Sequence, residues 1–96
     1  MLIDEIRAKK TLIDALVKEC GGKHLRVFGS VALGKETPDS DIDFLVEFPH
    51  GYDLVAQRLS LTQRLSDLMN RPVDLIPEHE LNPYLREQIL REAVEL

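Results

Sequence analysis

Three aspartates stand where aspartate is costly. Asp41 and Asp43 lie two residues apart in Asp41-Ile42-Asp43-Phe44-Leu45-Val46-Glu47-Phe48, and Asp74 lies inside Val73-Asp74-Leu75-Ile76. Both runs read as strands, and aspartate is depleted there because its short side chain competes for backbone hydrogen bonds. Side chains alternate along a strand, so Asp41, Asp43, Leu45 and Glu47 share one face while Ile42, Phe44, Val46 and Phe48 share the other. Two carboxylates on one face repel, and burying them unpaired would cost several kcal/mol. Such a cluster persists if one member stays protonated or if a divalent cation sits among them. Magnesium takes one or two carboxylates and completes its shell with water and phosphate oxygens. Three converging aspartates therefore suit two-metal phosphoryl transfer. Two of them also have ordinary explanations. Asp41 can belong to the turn after Asp39-Ser40, and Asp74 can pair with Arg71 or Arg26.

Gly29-Ser30 adds a second feature. It closes a strand over 24–28 and opens a brief helical turn through Val31, Ala32 and Leu33, with Ser30 as the expected N-cap. Glycine lets a backbone approach a phosphate, and the serine hydroxyl with the N–H groups of the turn can bind phosphate oxygens. Strand, Gly-Ser, helix is common. Gly-Ser followed after ten residues, 31–40, by Asp-x-Asp is not. Average residue usage puts a chance match on the order of one in a thousand, which lowers the weight of the ordinary explanations.

The elements that must position these residues follow from periodicity. Leu2, Ile3, Ile6, Ile13, Leu16, Val17 and Cys20 form one stripe, so a single helix is expected over 2–20, stopped by Gly21-Gly22. Pro38-Asp39-Ser40 supplies turn chemistry before the strand over 41–48. A second helix is expected over 53–70, with a wide face of Leu54, Val55, Leu59, Leu61, Leu65, Leu68 and Met69, ended by Asn70-Arg71-Pro72. A third strand over 73–76 precedes a last helix over 81–95. That helix carries one row of Leu81, Leu85, Ile89 and Ala93 beside a second of Leu90 and Val94. The order α-β-(α)-β-α-β-α predicts an α/β (α+β) fold, a small mixed sheet of about three strands covered by helices.

Composition narrows the partners. The 96 residues, 44% hydrophobic and 30% charged, are expected to form one domain over 1–96. A net charge of −5 argues against duplex nucleic acid as a ligand. The lone Cys20 has no disulfide partner, and His24, His50 and His79 lack zinc-ligand spacing. No apolar run approaches the ~20 residues of a membrane span. Asp4 and Glu5 stand where a signal peptide would need positive charge, so a cytoplasmic chain without membrane contact is expected.

Gly29-Ser30, the ten-residue spacer, Asp41-Ile42-Asp43 and Val73-Asp74-Leu75-Ile76 together resemble the nucleotidyltransferase superfamily related to DNA polymerase β, most closely its minimal single-domain branch, the MNT proteins. The resemblance runs from Val27 to the C-terminal helix. It implies the polymerase β-like fold, a nucleoside triphosphate substrate, expected to be ATP, and transfer of AMP. By the same resemblance Asp41 and Asp43 bind two Mg²⁺ ions, and Asp74 completes the second metal site and helps to deprotonate the acceptor hydroxyl. Gly29 and Ser30 would hold the triphosphate. Members of this branch are commonly antitoxins that neutralise HEPN-domain toxins by adenylylating a tyrosine. One position departs from the pattern: Leu33 stands where close relatives usually carry an arginine, with Lys35 or Arg26 as candidate substitutes.

Three activities fit these residues. The first is an enzyme that modifies a partner protein, expected because only 75–96 follow the third aspartate and leave no acceptor-binding domain. The second is a stand-alone enzyme acting on a small molecule. The third is an antitoxin that works by binding alone. The second apolar row of the last helix is either core or a contact surface, so an oligomer is among the expected forms.

Overall fold

The alternation of apolar residues in three runs builds a sheet that is buried on one side by helices. The computed structural model describes all 96 residues. Its elements are α1 (Leu2–Ala8), α2 (Lys10–Glu19), β1 (Lys23–Phe28), α3 (Gly29–Ala32), β2 (Ile42–Glu47), α4 (Ser60–Met69), β3 (Val73–Pro77), α5 (Pro83–Glu92) and β4 (Val94–Glu95). The sheet order is β3-β2-β1-β4. β1 runs antiparallel to both neighbours, and β2 runs parallel to β3. Val27, Ile42, Phe44, Val46 and Leu75 pack with Ile6 of α1, Ile13 and Val17 of α2, and Leu61 and Leu65 of α4. Each such side chain contributes about 1.5–3 kcal/mol on full burial. Leu45 points to the opposite face and is also fully buried, so β2 is covered on both sides. No helix is long and apolar enough to cross a membrane.

Four expectations need correction. The helix over 2–20 is two helices, broken at Lys9 (φ −103°, ψ 14°). Lys9 Nζ donates to the Leu68 carbonyl at 3.1 Å, placing a cation at the last turn of α4, where the helix dipole favours one. The helix over 53–70 opens with a π-helical segment, Leu54–Leu59, whose N-cap Asp53 accepts from the Val55 and Ala56 amides. The extra residue per turn shifts the phase of the stripe. Leu61 and Leu65 are buried while Leu54, Val55 and Leu59 are at least half exposed. The last helix ends at Glu92. Ala93 turns into the extended region and Val94 pairs with Val27, which makes four strands instead of three. In β1 the register slips between Lys23 and Arg26 around His24, a bulge residue with φ 53°.

Candidate active site

Register decides which side chains meet. Asp43 lies opposite Asp74 across the parallel pair and opposite Phe28 across the antiparallel pair, so the start of β2, the start of β3 and the end of β1 converge. Asp41 immediately precedes β2 and is exposed, Asp43 is half-buried, and Asp74 is exposed. Burial, followed by the charges of Asp74 and Asp41, pushes the Asp43 carboxyl above its ordinary value. Asp43 thus stands opposite Asp74 in the sheet and feels the charges of both Asp74 and Asp41.

Neither arginine suggested as a partner for Asp74 serves that purpose. Arg26 pairs with Glu78 at 2.7 Å, and Arg71 donates to the carbonyls of Thr37 and Ser40 at 3.1 and 3.0 Å. No cation lies within ion-pair distance of Asp41, Asp43 or Asp74. Arg26 is thereby also withdrawn as a substitute phosphate contact for the position that Leu33 occupies.

Gly29 is tied to this cluster by shape. Its φ is +72°, and a Cβ built on it would stand 2.3 Å from Asp43 Oδ2. Only glycine fits there, because an L side chain would be strained and would collide with the carboxylate. Ser30 is not the N-cap. Phe28 holds that position, extended and without a side-chain cap, and α3 begins at Gly29. The Ser30 carbonyl accepts from the Lys35 amide at 2.8 Å, which folds the segment back on itself and leaves Ser30 half-buried beside Gly29. Leu33, at the end of α3, is 47% exposed.

The residue types suit a hard divalent cation: carboxylates without ion-pair partners, Asp43 and Asp74 on adjacent strands and Asp41 just before one of them, whose mutual repulsion a cation would relieve. No three acidic or imidazole side chains close into a ready-made cage anywhere in the molecule. Magnesium needs only one or two protein carboxylates, because water and phosphate oxygens complete its shell. The aspartates also line no enclosed cavity. The concave regions lie elsewhere, one of them between α2 and β1 around Lys18, Lys23 and Leu25. An acceptor would meet the cluster on an open surface.

Sequence reasoning missed the fastening of the Asp41 loop. Thr37 N donates to Ser40 Oγ at 2.8 Å, Ile42 N to the Pro72 carbonyl at 3.0 Å, and Arg71 spans both segments. Pro38-Asp39-Ser40 and Asn70-Arg71-Pro72 each read as a turn; nothing in either says that the two turns touch.

Comparison with known proteins gives the family. The family described as the nucleotidyltransferase domain matches residues 9–96. A candidate protein adenylyltransferase of Methanocaldococcus jannaschii is 36% identical over 96 residues, covering 100% of this chain and 99% of that protein. Protein adenylyltransferase MntA of Thermococcus cleftensis is 34% identical over 74 residues, covering 77% of this chain and 74% of its own length. Among solved structures, a candidate minimal nucleotidyltransferase superimposes with a TM-score of 0.86 at 41% identity, covering 100% of this chain and 97% of that one. A toxin–antitoxin structure with AMP-PNP does so at 0.73 and 25% identity, covering 86% and 68%. Paired aspartates at the head of adjacent parallel strands, a glycine that fits only against their carboxylate, and a family match over nearly the whole length place this chain in the nucleotidyltransferase domain family, in its minimal branch.

Proposed function

We propose that this chain transfers AMP from ATP to a hydroxyl of a partner protein in a magnesium-dependent reaction, as the antitoxin of a HEPN/MNT toxin–antitoxin pair. The observation that carries this reading is a set of carboxylates without ion-pair partners, in which Asp43 faces Asp74 across the sheet, feels the charge of Asp41, and lies directly against Gly29. Its support among relatives is that two of them are described as protein adenylyltransferases, one as a candidate, and that a neighbouring toxin–antitoxin structure holds an ATP analogue.

Asp41 and Asp43 would hold magnesium, with Asp74 completing a second site. The bound ions would neutralise phosphate charge and orient the triphosphate. A carboxylate oxygen of Asp74 takes the proton of the acceptor hydroxyl. The acceptor oxygen then bonds to the α-phosphorus as the bond to the leaving pyrophosphate breaks. The Ser30 hydroxyl, beside Gly29, binds a phosphate oxygen. Residues 1–96 act as a single unit in the cytoplasm, and the partner brings the acceptor to the open face.

Leu33 favours a second reading. An exposed apolar residue where the family resemblance leads one to expect an arginine weakens the hold on the triphosphate, and suits a protein that neutralises its toxin by contact alone. Incubation with Mg²⁺, labelled ATP and the product of a neighbouring HEPN-type gene separates the two. Label on that protein, lost with Asp43→Asn, supports transfer. Toxin suppression without label supports contact alone. Neither label nor suppression overturns both.

A further inference from the structure

We infer that Arg71 is a positioning residue, whose guanidinium clamps the loop carrying Asp41 to the turn leading into Asp74. The inference rests on the reading of the three aspartates as a cation site and names the part of the chain that assembles them. Asp41 lies one residue outside β2, so the strand ladder does not hold it. The neighbouring carboxylates Asp43 and Asp74 repel it while no cation is bound. The Ile42 N–H holds the C-terminal side of Asp41 through the Pro72 carbonyl at 3.0 Å, and the turn on its N-terminal side needs a fastening of its own.

The observed contacts supply it. One guanidinium nitrogen of Arg71, Nη1, donates to both Thr37 O at 3.1 Å and Ser40 O at 3.0 Å, the carbonyls at the two ends of the turn preceding Asp41. That turn is itself closed by Ser40 N donating to Thr37 O at 3.0 Å and Thr37 N to Ser40 Oγ at 2.8 Å. The other end of the clamp is anchored in α4. Asn70 adopts the left-handed conformation (φ 52°, ψ 45°), which asparagine tolerates, and turns the chain so that Arg71 N donates to Ser66 O at 3.3 Å. Ser66 Oγ donates back to the Arg71 carbonyl at 2.8 Å. Arg71 makes no ion pair with any carboxylate. Its bonds therefore go to loop carbonyls, and the three aspartates keep their acceptor capacity for a ligand. Both bonds leave from one nitrogen, so a lysine keeps the charge and enough donors, but its ammonium ends nearer the backbone than Nη1 and is not fixed in a plane.

A loop already ordered does not have to be ordered by the cation, so losing the clamp should weaken cation binding. Residues that orient metal ligands typically change affinity by about 10–100-fold when lost. The test titrates Mn²⁺ into the full chain and reads free Mn²⁺ by electron paramagnetic resonance, for the parent, Arg71→Met, Arg71→Lys and Asp43→Asn. Thermal unfolding and amide exchange over 37–42 are recorded alongside. The expected result is an Mn²⁺ dissociation constant raised about tenfold in Arg71→Met, with faster exchange over 37–42, and an intermediate value in Arg71→Lys. Loss of binding in Asp43→Asn is the control. Equal binding by the parent and Asp43→Asn would overturn the aspartate site itself. Loss in Asp43→Asn with parental affinity in Arg71→Met would overturn the clamp alone. Should Arg71→Met not fold, parental affinity in a folded Arg71→Lys with unchanged exchange over 37–42 would overturn it equally.

Discussion

The two ends of the β2–β3 pair treat their acids in opposite ways. Beyond the C-terminal end, Glu78 accepts from Arg26 at 2.7 Å and from Arg86 at 3.2 Å, and its carbonyl accepts from Arg86 at 2.8 Å. Glu80 pairs with Arg58 at 3.1 Å and accepts the Tyr52 hydroxyl. At the N-terminal end Asp41, Asp43 and Asp74 make no ion pair, and even the nearby Arg71 directs its bonds to the Thr37 and Ser40 carbonyls. The chain has 12 lysines and arginines, so cations were there to be used. An end that is paired internally needs nothing from outside. An end left unpaired, with one carboxyl half-buried and its pKa raised above the ordinary value, is the one that the proposed function assigns to a charged ligand.

The largest effects should follow from breaking each end on its own terms. Arg26 is only 12% exposed, so Glu78→Ala leaves a nearly buried guanidinium without its partner. The expected loss is about 3 kcal/mol of stability, read from urea unfolding, with the aspartate end still binding Mn²⁺. A loss below about 1 kcal/mol would make that network a surface feature and remove half of the contrast. At the other end Asp74→Asn should behave inversely. Stability is kept and MgATP binding stays within about tenfold, while transfer of AMP to the partner falls at least ~100-fold. That is about 2.7 kcal/mol of transition-state stabilisation. Transfer at the parental rate would mean that Asp74 holds no part of the chemistry.

Gly29→Ala strains both shape and charge. The new methyl meets Asp43 Oδ2 in a left-handed turn, so about 1–2 kcal/mol of stability should go. Mn²⁺ affinity should fall with it because the carboxylate must move. Asp43→Asn acts in the other direction on the apo protein. An acid whose folded pKa lies above its ordinary 3.8 favours folding fully below that value, and the contribution is lost as pH rises through the raised folded value. At neutral pH the charged cluster therefore opposes folding, and Asn relieves it. The variant should melt higher than the parent near pH 7, with the gap closing as pH falls toward 3.8. A parent that melts as high as Asp43→Asn at neutral pH would show that the cluster is not frustrated.

The unpaired end was the more legible of the two in the sequence. Aspartate inside a strand is a local anomaly, and period-two alternation already placed Asp43 on a shared face; Gly-Ser at a fixed distance added a constraint that needs no tertiary information. The paired end gives no such sign, because Arg26 and Glu78 are 52 positions apart and only the β1–β2 and β2–β3 pairings together bring them into reach. The same limit hid the Arg71 clamp. Val94-Glu95 carries no strand signal, because two residues cannot show alternation and Val94 also fits the helical row that precedes it. Leu54, Val55 and Leu59 misled in the opposite way. Their spacing reads as core, yet the π-helical segment rotates them to the surface.

A third acid pair sharpens the comparison because its cation is conditional. His24 bridges Glu95 of β4 and Glu47 of β2, and these two carboxylates, Glu95 foremost, raise its pKa above 6.5. A base with a raised folded pKa lends stability that is fully present below 6.5 and is lost as pH rises through the folded value. The ring is 41% exposed, so solvent and salt screen the pair and the effect should be the smallest of those named here. It should also be local, because β4 is two residues long and pairs only with Arg26 and Val27. Amide exchange at Val94 and Glu95 is expected to quicken as pH rises through the histidine's transition, after correction for the intrinsic rate, while exchange at Phe44 and Leu75 in the core does not follow. His24→Asn is the informative variant, since asparagine tolerates the left-handed bulge at φ 53° and removes the imidazole without straining the backbone. That variant should lose the pH dependence at β4 and keep its melting temperature. If the β4 amides of His24→Asn still respond to pH as the parent's do, the bridge is not what holds the strand, and the aspartate end alone would set charge apart from structure in this fold.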